Sequence, residues 1–249
     1  MLTAERRQAI LGRLQRDGKL VASELVAELG VSEDTVRRDL RELAAQGRLQ
    51  RVHGGALPAA PPSGSFARRL EVAPAAKAAL AEAALPLLAT AGVVILDGGT
   101  TTLELARRLA PEQAVIVVTN SPPVASALAE HPHAEVVVVG GRLLKDAQVT
   151  VGAAAVEAVR ALRADVCVLG ICSLHPELGV TAADYEEAQV KRAMVAAAGE
   201  VIALATAEKL RTASPWVVAP LADVDRLVTD GDDDLTEAYA HAGIDVVRA

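Results

Sequence analysis

Aromatic residues, cysteines and long apolar runs are all scarce in this chain of 249 residues. Aromatics make up 2% of the sequence, so alanine, valine and leucine must fill any core. No apolar run approaches the roughly 20 residues that cross a bilayer, and the N-terminal MLTAERRQAILGRL is a charged amphipathic pattern rather than a signal peptide. Cys167 and Cys172 lie in an apolar stretch without metal-type spacing. We therefore expect a cytoplasmic protein with reduced thiols, no membrane contact and no metal site.

The charge of the chain is unevenly distributed. Residues 1–56 hold ten basic and eight acidic residues, whereas the remainder holds 15 basic and 24 acidic residues, for a net charge of −7. A mildly basic head on an acidic body is compatible with a small DNA-binding module, although the charge alone argues for it only weakly.

Two short helical patterns follow one another in the head. Ser23 is a plausible N-cap for the first helix, and Gly30 ends it in the left-handed conformation that glycine tolerates. Ser32 can cap a second helix, in which apolar residues recur at i, i+4 and i+7 from Val36. Because about three residues join the two patterns, the sequence predicts a helix-turn-helix.

The second helix carries polar residues on the face opposite its apolar stripe, namely Thr35, Arg37, Arg38 and Arg41. In a helix-turn-helix this helix enters the major groove, where arginine bonds guanine or holds a phosphate. The alternative is a solvated helix laced with salt bridges, because acidic residues lie nearby in the sequence. The pattern by itself leaves both interpretations open.

The stretch RLQRVHGGA after Gly47 alternates like a short strand that ends at a Gly-Gly turn. Such a strand predicts a wing beside the helix-turn-helix, with Arg48, Arg51 and His53 near the phosphates of DNA. A lone histidine is more often structural than functional, so His53 is the weakest of the three.

The run GVSEDTVRRDLREL, followed by GRLQRVHGGA, resembles the winged helix-turn-helix of DeoR-type bacterial transcriptional regulators. The resemblance covers nearly the whole head and implies binding to double-stranded operator DNA. The residues expected to contact DNA are Ser32, Thr35, Arg37, Arg38, Arg41, Arg48, Arg51 and His53.

The rest of the chain divides into a linker and a body. We expect a winged helix-turn-helix domain over 1–57, a linker over 58–74 that is rich in Pro, Ala, Ser and Gly, and a second domain over 75–249. In the body, β-branched runs alternate with helical patterns, which favours an α/β fold with a mostly parallel sheet covered on both faces.

The segment VILDGGTTT, residues 94–102, ends a buried run in an aspartate, two glycines and three threonines. Gly98 and Gly99 would let backbone N–H groups approach an anion at the start of the next helix, with hydroxyls from Thr100 and Thr101 beside them. A strand that simply turns into a helix, with threonine as its cap, explains the same residues. Ligands of parallel sheets bind at the carboxyl ends of the strands, where further polar residues cluster.

The body also resembles the effector domain of DeoR-type regulators, through the blocks LDGGTTT, VTN, VGGRL, EEAQVKRAM, LATAEKL and LVTD in that order. The resemblance implies a fold similar to ribose-5-phosphate isomerase and a phosphorylated sugar as effector. Two segments depart from the family, GICSLHPELG and Thr206 in LATAEKL, and they leave the effector's identity open. The pocket residues that the resemblance implies are Asp97, Gly98, Gly99, Thr100, Thr101, Asn120, Gly141, Arg142, Lys191 and Lys209.

A sensor is favoured over an enzyme. An aldose–ketose isomerase needs a positioned base, and where ribose-5-phosphate isomerases have an acidic run this chain has GICSLHPE, without a carboxylate before Glu177. Neither GxGxxG nor a P-loop occurs. We therefore expect a repressor of carbohydrate-metabolism genes that acts as a homodimer or homotetramer, with no catalytic residue and no cofactor. Two alternatives stay open: an active isomerase with a DNA-binding head, and an architectural protein whose body only oligomerises.

Overall fold

The computed structural model describes residues 2–61 and 64–249. Its head contains three helices and a small antiparallel sheet, in which the third strand lies between the other two. The elements are α1 (Thr3–Asp17), β1 (Leu20–Val21), α2 (Ala22–Leu29), α3 (Glu33–Ala45), β2 (Gln50–Val52) and β3 (Gly55–Leu57).

The predicted helix-turn-helix and wing are both present. Three residues join α2 to α3, Gly30 adopts a φ of +62°, and the Ser32 side chain accepts a hydrogen bond from the Thr35 amide at 3.3 Å. The wing is the β2–β3 hairpin. The apolar residues of the three helices, together with Leu49 and Ala56, form a separate core for the head.

The prediction that Ser23 caps α2 is wrong. The helix begins two residues earlier than that cap implies, at Ala22, and Val21 occupies the cap position without a side-chain hydrogen bond. The reason lies in the wing, because the Ala22 amide donates to the Gly54 carbonyl at 2.7 Å. A backbone acceptor from the hairpin thus satisfies a donor at the helix start.

Asp39 of α3 points inward, towards α1. Its side chain is 1% exposed, and its two oxygens accept from Arg6 Nε at 2.5 Å and Arg7 Nε at 2.9 Å. Burial alone would raise the pKa of Asp39, but the hydrogen bonds from the two arginines outweigh it and lower the pKa. The ion pairs of Asp39 with Arg6 and Arg7 therefore hold α3 against α1.

The segment predicted as a linker carries structure of its own. Helix α4 (Phe66–Glu71) buries Phe66 in the core of the body, and the Phe66 amide donates to the Asp146 carbonyl at 2.8 Å. Residues 62 and 63 of the predicted linker, like Met1 of the predicted head, lie outside the described residues.

The body is built on a seven-stranded, wholly parallel sheet with the order β15-β14-β12-β9-β4-β5-β6. The remaining strands form the hairpin β7-β8 and a three-stranded antiparallel sheet, β10-β11-β13. The helices are α5 (Pro74–Ala84), α6 (Thr100–Arg107), α7 (Pro122–Leu128), α8 (Ala153–Arg160), α9 (Tyr185–Ala197) and α10 (Asp233–His241). The strands of the large sheet are β4 (Val93–Leu96), β5 (Val115–Thr119), β6 (Ala134–Val138), β9 (Ala164–Gly170), β12 (Ala198–Leu204), β14 (Arg226–Thr229) and β15 (Asp245–Arg248). The smaller strands are β7 (Arg142–Leu144), β8 (Val149–Val151), β10 (Ser173–His175), β11 (Gly179–Ala182) and β13 (Trp216–Ala219), and single 3-10 turns cover Leu85–Leu88, Ala207–Lys209 and Leu221–Asp223.

The predicted α/β fold class is confirmed. Both faces of the sheet are covered, because the buried residues of its strands divide between two large clusters, each of which also contains residues of the packed helices. From β4 the chain moves outward through β5 and β6, and it then returns to β9 on the other side of β4. The boundary between β4 and β9 is thus a topological switch point, where parallel sheets open a crevice beyond the carboxyl ends of their strands.

Within the described residues, no helix combines the length and the apolar character needed to cross a membrane.

We predict that Asp39→Asn lowers the free energy of unfolding by about 2 kcal/mol. Loss of a buried pair costs about 3–5 kcal/mol, and the two arginines are partly exposed, which reduces the penalty. Because the pKa of Asp39 is lowered in the folded state, this stability is present above the unfolded value of about 4 and is lost as pH falls below it. Hydrogen exchange of the α1 and α3 amides would measure the change.

The matched control is Glu28→Gln, which breaks an exposed contact to Arg13 and should cost less than about 1 kcal/mol. Equal losses of stability in the two variants would contradict the role of Asp39 in joining α1 and α3.

Candidate ligand pocket and nucleic-acid interface

A cavity of about 130 Å³ opens at the switch point, beyond the ends of β4 and β9. The loop after β4, the start of α6 and the loop after β9 form its floor, and the segment between the two domains forms part of its wall. The lining residues are Pro61, Arg69, Val72, Lys77, Gly98, Gly99, Thr100, Thr101, Gly170, Ile171, Cys172, Glu187, Glu208 and Lys209.

The start of α6 faces this cavity with backbone donors. Helix α6 begins after Gly99 without a side-chain cap, and the Leu103 amide donates to the Gly99 carbonyl at 3.0 Å. The amides of the preceding helical residues therefore have no acceptor within the helix. Gly98 has a packing requirement as well, because a Cβ there would lie 2.0 Å from Cγ1 of Val149. The first turn of α6 thus has the positive end and the close backbone approach that an anion needs.

Asp97 and Lys191 form a buried ion pair beneath this turn. Their side chains are 1% and 3% exposed, and Lys191 Nζ donates to Asp97 Oδ2 and to the Gly170 carbonyl at 2.9 Å. The Gly170 amide donates to the same carboxylate oxygen at 3.0 Å, and Glu187 lies 3.4 Å from Lys191. Burial would lower the pKa of Lys191, but the carboxylates of Asp97 and Glu187 outweigh it and raise the pKa. The pair ties together the ends of β4 and β9 and helix α9.

The ten predicted pocket residues thus divide into two groups. Five of them line the cavity: Gly98, Gly99, Thr100, Thr101 and Lys209. The other five lie outside the lining and make contacts of their own. Asp97 and Lys191 pair with each other, and Arg142 pairs with Glu186 at an exposed position.

Asn120 and Gly141 belong to the packing around the β7-β8 hairpin. The Asn120 amide group donates to the Thr150 carbonyl at 3.1 Å, and the Thr150 amide donates to the Asn120 carbonyl at 2.7 Å. Gly141 has a φ of +149°, and a Cβ there would lie 2.6 Å from the Val151 carbonyl oxygen. These contacts hold the hairpin beside the end of β5.

Lys209 is the predicted cation that lines the cavity. Its pKa is lowered to about 8, mainly by burial and also by the charges of Lys77 and Arg69, whereas Cys172 and Glu208 act to raise it. No hydrogen bond or ion pair of its ammonium group occurs among the described residues. Such a lysine is suited to an anionic partner that the chain itself does not supply.

Arg69 and Lys77 are cavity residues that the sequence predictions missed. Arg69 lies in the predicted linker, and Lys77 lies in an alanine-rich helix with no motif around it. One signal was available, because Lys77 is a single charge within PAAKAAL, and its side chain is indeed buried at 5% exposure.

The eight residues predicted to contact DNA all lie on accessible parts of the head. Ser32 and Thr35 start α3, where their hydroxyls are 2.9 Å apart. Arg37, Arg38 and Arg41 are exposed along the same helix, and Arg48, Arg51 and His53 are exposed before β2, on β2 and in the wing turn.

Three of the four acidic residues of α3 pair with arginines, whereas Asp34 is exposed and forms no salt bridge among the described residues. Asp39 is turned towards α1, and Glu42 pairs with Arg7 of α1. Glu33 pairs with Arg37 at 2.6 Å, whereas Arg38 and Arg41 form no salt bridge within residues 2–61 and 64–249. The interpretation of α3 as a helix laced with salt bridges therefore fits Arg37 and fails for the two other arginines.

We predict that Asp97→Asn lowers the free energy of unfolding by about 3 kcal/mol, because it leaves the Lys191 charge buried with only Glu187 beside it. Denaturation followed through Trp216, the single tryptophan, would measure the loss. The control Glu186→Gln breaks the exposed pair with Arg142 and should change stability by less than about 1 kcal/mol. Adding Lys191→Met to Asp97→Asn should recover part of the lost stability. A structural role for the pair would be contradicted if Asp97→Asn were no less stable than Glu186→Gln and the double variant recovered nothing.

Comparison with known proteins places both domains in one family. The DeoR-like helix-turn-helix domain matches residues 6–60, and the DeoR C-terminal sensor domain matches residues 72–231. The transcriptional regulator GlpR of Haloferax volcanii is 36% identical, over 99% of this chain and 98% of its own length. The glycerol-3-phosphate regulon repressor of Haemophilus influenzae is 30% identical, over 90% and 88% of the two chains.

The relatives carry the names of regulators and repressors rather than enzymes, including a putative aga operon repressor of Escherichia coli O157:H7 that is 33% identical over 98% of this chain and 93% of its own length. Among solved structures, a ribose-5-phosphate isomerase in complex with phospho-erythronic acid overlaps 53% of this chain and 52% of its own, with 20% identity and a TM-score of 0.38. The matched domains and the relatives agree along nearly the whole length, and the chain belongs to the DeoR family of transcriptional regulators.

Proposed function

We propose that this regulator is a repressor of carbohydrate-metabolism genes, and that a phosphorylated sugar or polyol bound in the cavity at the switch point controls its affinity for operator DNA. The observation that carries the proposal is the pairing of the α6 start with Lys209 across one cavity. Backbone amides and the helix dipole on one side, and an ammonium group on the other, are the groups that bind a phosphate monoester.

The size and the charge of the cavity support the same ligand class. At about 130 Å³ the cavity suits a compact ligand such as a phosphate with part of a small polyol. The hydroxyls of Thr100 and Thr101 add donors beside the amides. Asp97 is already neutralised by Lys191, so it does not oppose an anion with a free negative charge.

The same ion pair argues against the isomerase alternative. A general base must reach the substrate proton with a free carboxylate, whereas Asp97 is 1% exposed and is bonded to Lys191 and to the Gly170 amide. The sensor interpretation needs no such base.

The names of the relatives suggest which ligands to test first. One relative is a glycerol-3-phosphate regulon repressor, and another is a putative repressor of the aga operon. We infer that the effector of this chain is a comparable small phosphomonoester.

The head is proposed to bind DNA through α3 and the wing, with Arg38 and Arg41 as the arginines free to read bases. The excess of two positive charges in residues 1–56 gives one head little electrostatic affinity. Two heads on repeated half-sites would raise it through effective concentration. We therefore propose a homodimer or homotetramer as the DNA-binding form.

The proposal is tested by measuring binding to DNA from upstream of the protein's own gene, at fixed salt, with and without glycerol 3-phosphate, ribose 5-phosphate and glucose 6-phosphate. One phosphorylated ligand should relieve specific binding, and the unphosphorylated compounds should not. Arg38→Ala should weaken operator binding by about 1–3 kcal/mol and leave ligand binding intact. Lys209→Met should do the reverse.

The control for Arg38 is Arg160→Ala, an exposed arginine of α8 in the body, which should bind DNA like the wild type. Specific DNA binding that no phosphorylated compound relieves would refute the effector proposal. Sugar phosphate turnover by the wild type would refute the sensor interpretation.

We also predict that ligand affinity falls above pH 8. The phosphate is a dianion there, because its second pKa is about 6, whereas Lys209, with its pKa lowered to about 8, loses its proton. Binding then requires proton uptake, so Kd should rise by up to about tenfold per pH unit. Burial also lowers the pKa of Lys77, so Lys209→Met should lose the larger part of this slope and Lys77 should account for the rest. Calorimetry from pH 7 to 9.5 would measure it; an unchanged slope in the variant would exclude Lys209.

A further inference from the structure

We propose that Arg69, on the segment that joins the head to the sensor domain, and Lys77, near the start of α5, bind the anionic group of the effector together with Lys209. The ligand would then be held jointly by the sheet and by the chain that leads to the DNA-binding head. This inference rests on the proposed function, and it assigns part of the effector site to a segment that lies between the two domains.

Arg69 lines the cavity, and no carboxylate pairs with it within residues 2–61 and 64–249. Its guanidinium lies 5.7 Å from the ring centroid of the buried Phe66, and Nη2 makes long contacts of 3.5 and 3.4 Å to the carbonyls of Asp146 and Ala147. Its Nε is buried and has no hydrogen-bond acceptor among the described residues. A buried charged donor without an acceptor is unfavourable, and an anion in the cavity would remove that penalty.

Lys77 has the same deficiency in a more buried position. Its side chain is 5% exposed, its Nζ donates to the Arg69 carbonyl, and no carboxylate pairs with it in the described part of the chain. Burial lowers its pKa, and the Arg69 charge lowers it further against the raising effect of Glu208 and Glu104. A buried ammonium without a paired carboxylate is unfavourable. The charges of Glu208 and Glu104 offset that penalty only in part, because the net pKa is still lowered, so an anion in the cavity would stabilise the ammonium.

Three cations thus line one cavity from different parts of the chain. Arg69 comes from the interdomain segment, Lys77 from the start of α5, and Lys209 from the loop after β12. The lining also contains two carboxylates: Glu187 lies 3.4 Å from Lys191, and the charge of Glu208 raises the pKa of Lys77 and of Lys209, offsetting part of the positive charge. The charges of Arg69 and Lys77 both act to lower the pKa of Lys209. Mutual repulsion of this kind is relieved by a dianionic phosphate.

The same segment is bound to the Lys209 loop near the head. The Ala60 amide donates to the Ala213 carbonyl at 3.2 Å, and the Ala213 amide donates to the Pro58 carbonyl at 3.0 Å. Pro58 directly follows the last strand of the wing, and the Thr212 hydroxyl donates to the Lys209 carbonyl at 2.7 Å. An anion bound by Lys209 and Arg69 would therefore contact both the loop that is hydrogen-bonded to the start of the segment and a residue near the end of the segment.

The competing explanation is that Arg69 and Lys77 only hold helix α4 in place. A structural role would lower the thermal stability of the free protein when either is replaced, without changing ligand affinity once folded. A ligand-binding role would change the affinity itself, and replacing Lys77 would leave the free protein as stable as before or more so, because a buried unpaired charge is removed.

The test uses the full chain, with calorimetric titration of inorganic phosphate, glycerol 3-phosphate, ribose 5-phosphate and glucose 6-phosphate. Arg69→Gln and Lys77→Met should each weaken binding by about 10- to 100-fold, the range for a hydrogen bond to a charged group. The matched control is Arg68→Gln, the neighbouring exposed arginine of α4 that does not line the cavity, and it should bind like the wild type. Should Arg69→Gln fail to fold, Lys77→Gln, which keeps a donor for the Arg69 carbonyl, provides the second variant.

Hydrogen exchange gives an independent measurement. Ligand should slow exchange of the amides in residues 64–77 of the wild type, and this protection should be lost in Lys77→Met. If Lys209→Met loses binding while the Arg69 and Lys77 variants keep wild-type affinity, the inference is overturned and the proposed function stands. If the wild type binds none of the four compounds, the proposed function fails and this inference fails with it.

Discussion

The buried pair of Asp97 and Lys191 is the interaction on which the sensor site depends. It joins the ends of two adjacent strands to helix α9, at the point where the order of the sheet reverses. A carboxylate and an ammonium both under 4% exposed are stable only as a pair with further hydrogen bonds, and the Gly170 amide and carbonyl supply them. Because Asp97 is buried, the groups of this loop that line the cavity are backbone amides and threonine hydroxyls, which donate hydrogen bonds. The pair therefore fixes the loop in place and keeps a free negative charge away from this part of the cavity.

The head also contains a buried carboxylate that is neutralised by basic side chains. Asp39 is buried against Arg6 and Arg7, which removes an acidic group from the helix that would face DNA. Arg38 and Arg41 are then left without an ion pair among the described residues, so their charges are available to phosphates or bases. In both domains a buried carboxylate is neutralised by basic side chains of a helix distant in sequence. A negative charge is thereby removed from the surface proposed to bind DNA and from the cavity proposed to bind the effector.

The sequence was sufficient for the features that depend on local patterns. Apolar periodicity, the Gly30 turn and the alternation of strands and helices predicted the winged helix-turn-helix and the parallel sheet, and the structure confirms both. The contacts between distant residues were not predictable in this way. Asp97 and Lys191 are 94 positions apart, and Ser23 loses its predicted capping role to a carbonyl of the wing. Arg69 was not predicted because a composition typical of a linker hides a helix that one phenylalanine anchors to the body, and Lys77 was not predicted because no motif surrounds it in α5.

The position of the interdomain segment bears on how a ligand could act on DNA binding at all. A ligand shifts an equilibrium only by the difference in its affinity for the two states, so a pocket built entirely within the sensor sheet would need some other element to move. Here Pro61, Arg69, Val72 and Lys77 form one wall of the cavity, and the chain just before them pairs with the loop that carries Lys209. In the proposed site, a rearrangement of the head that displaces this segment would also displace Arg69 from the ligand. The coupling between the two sites then follows from shared residues, and no separate pathway through the core is required.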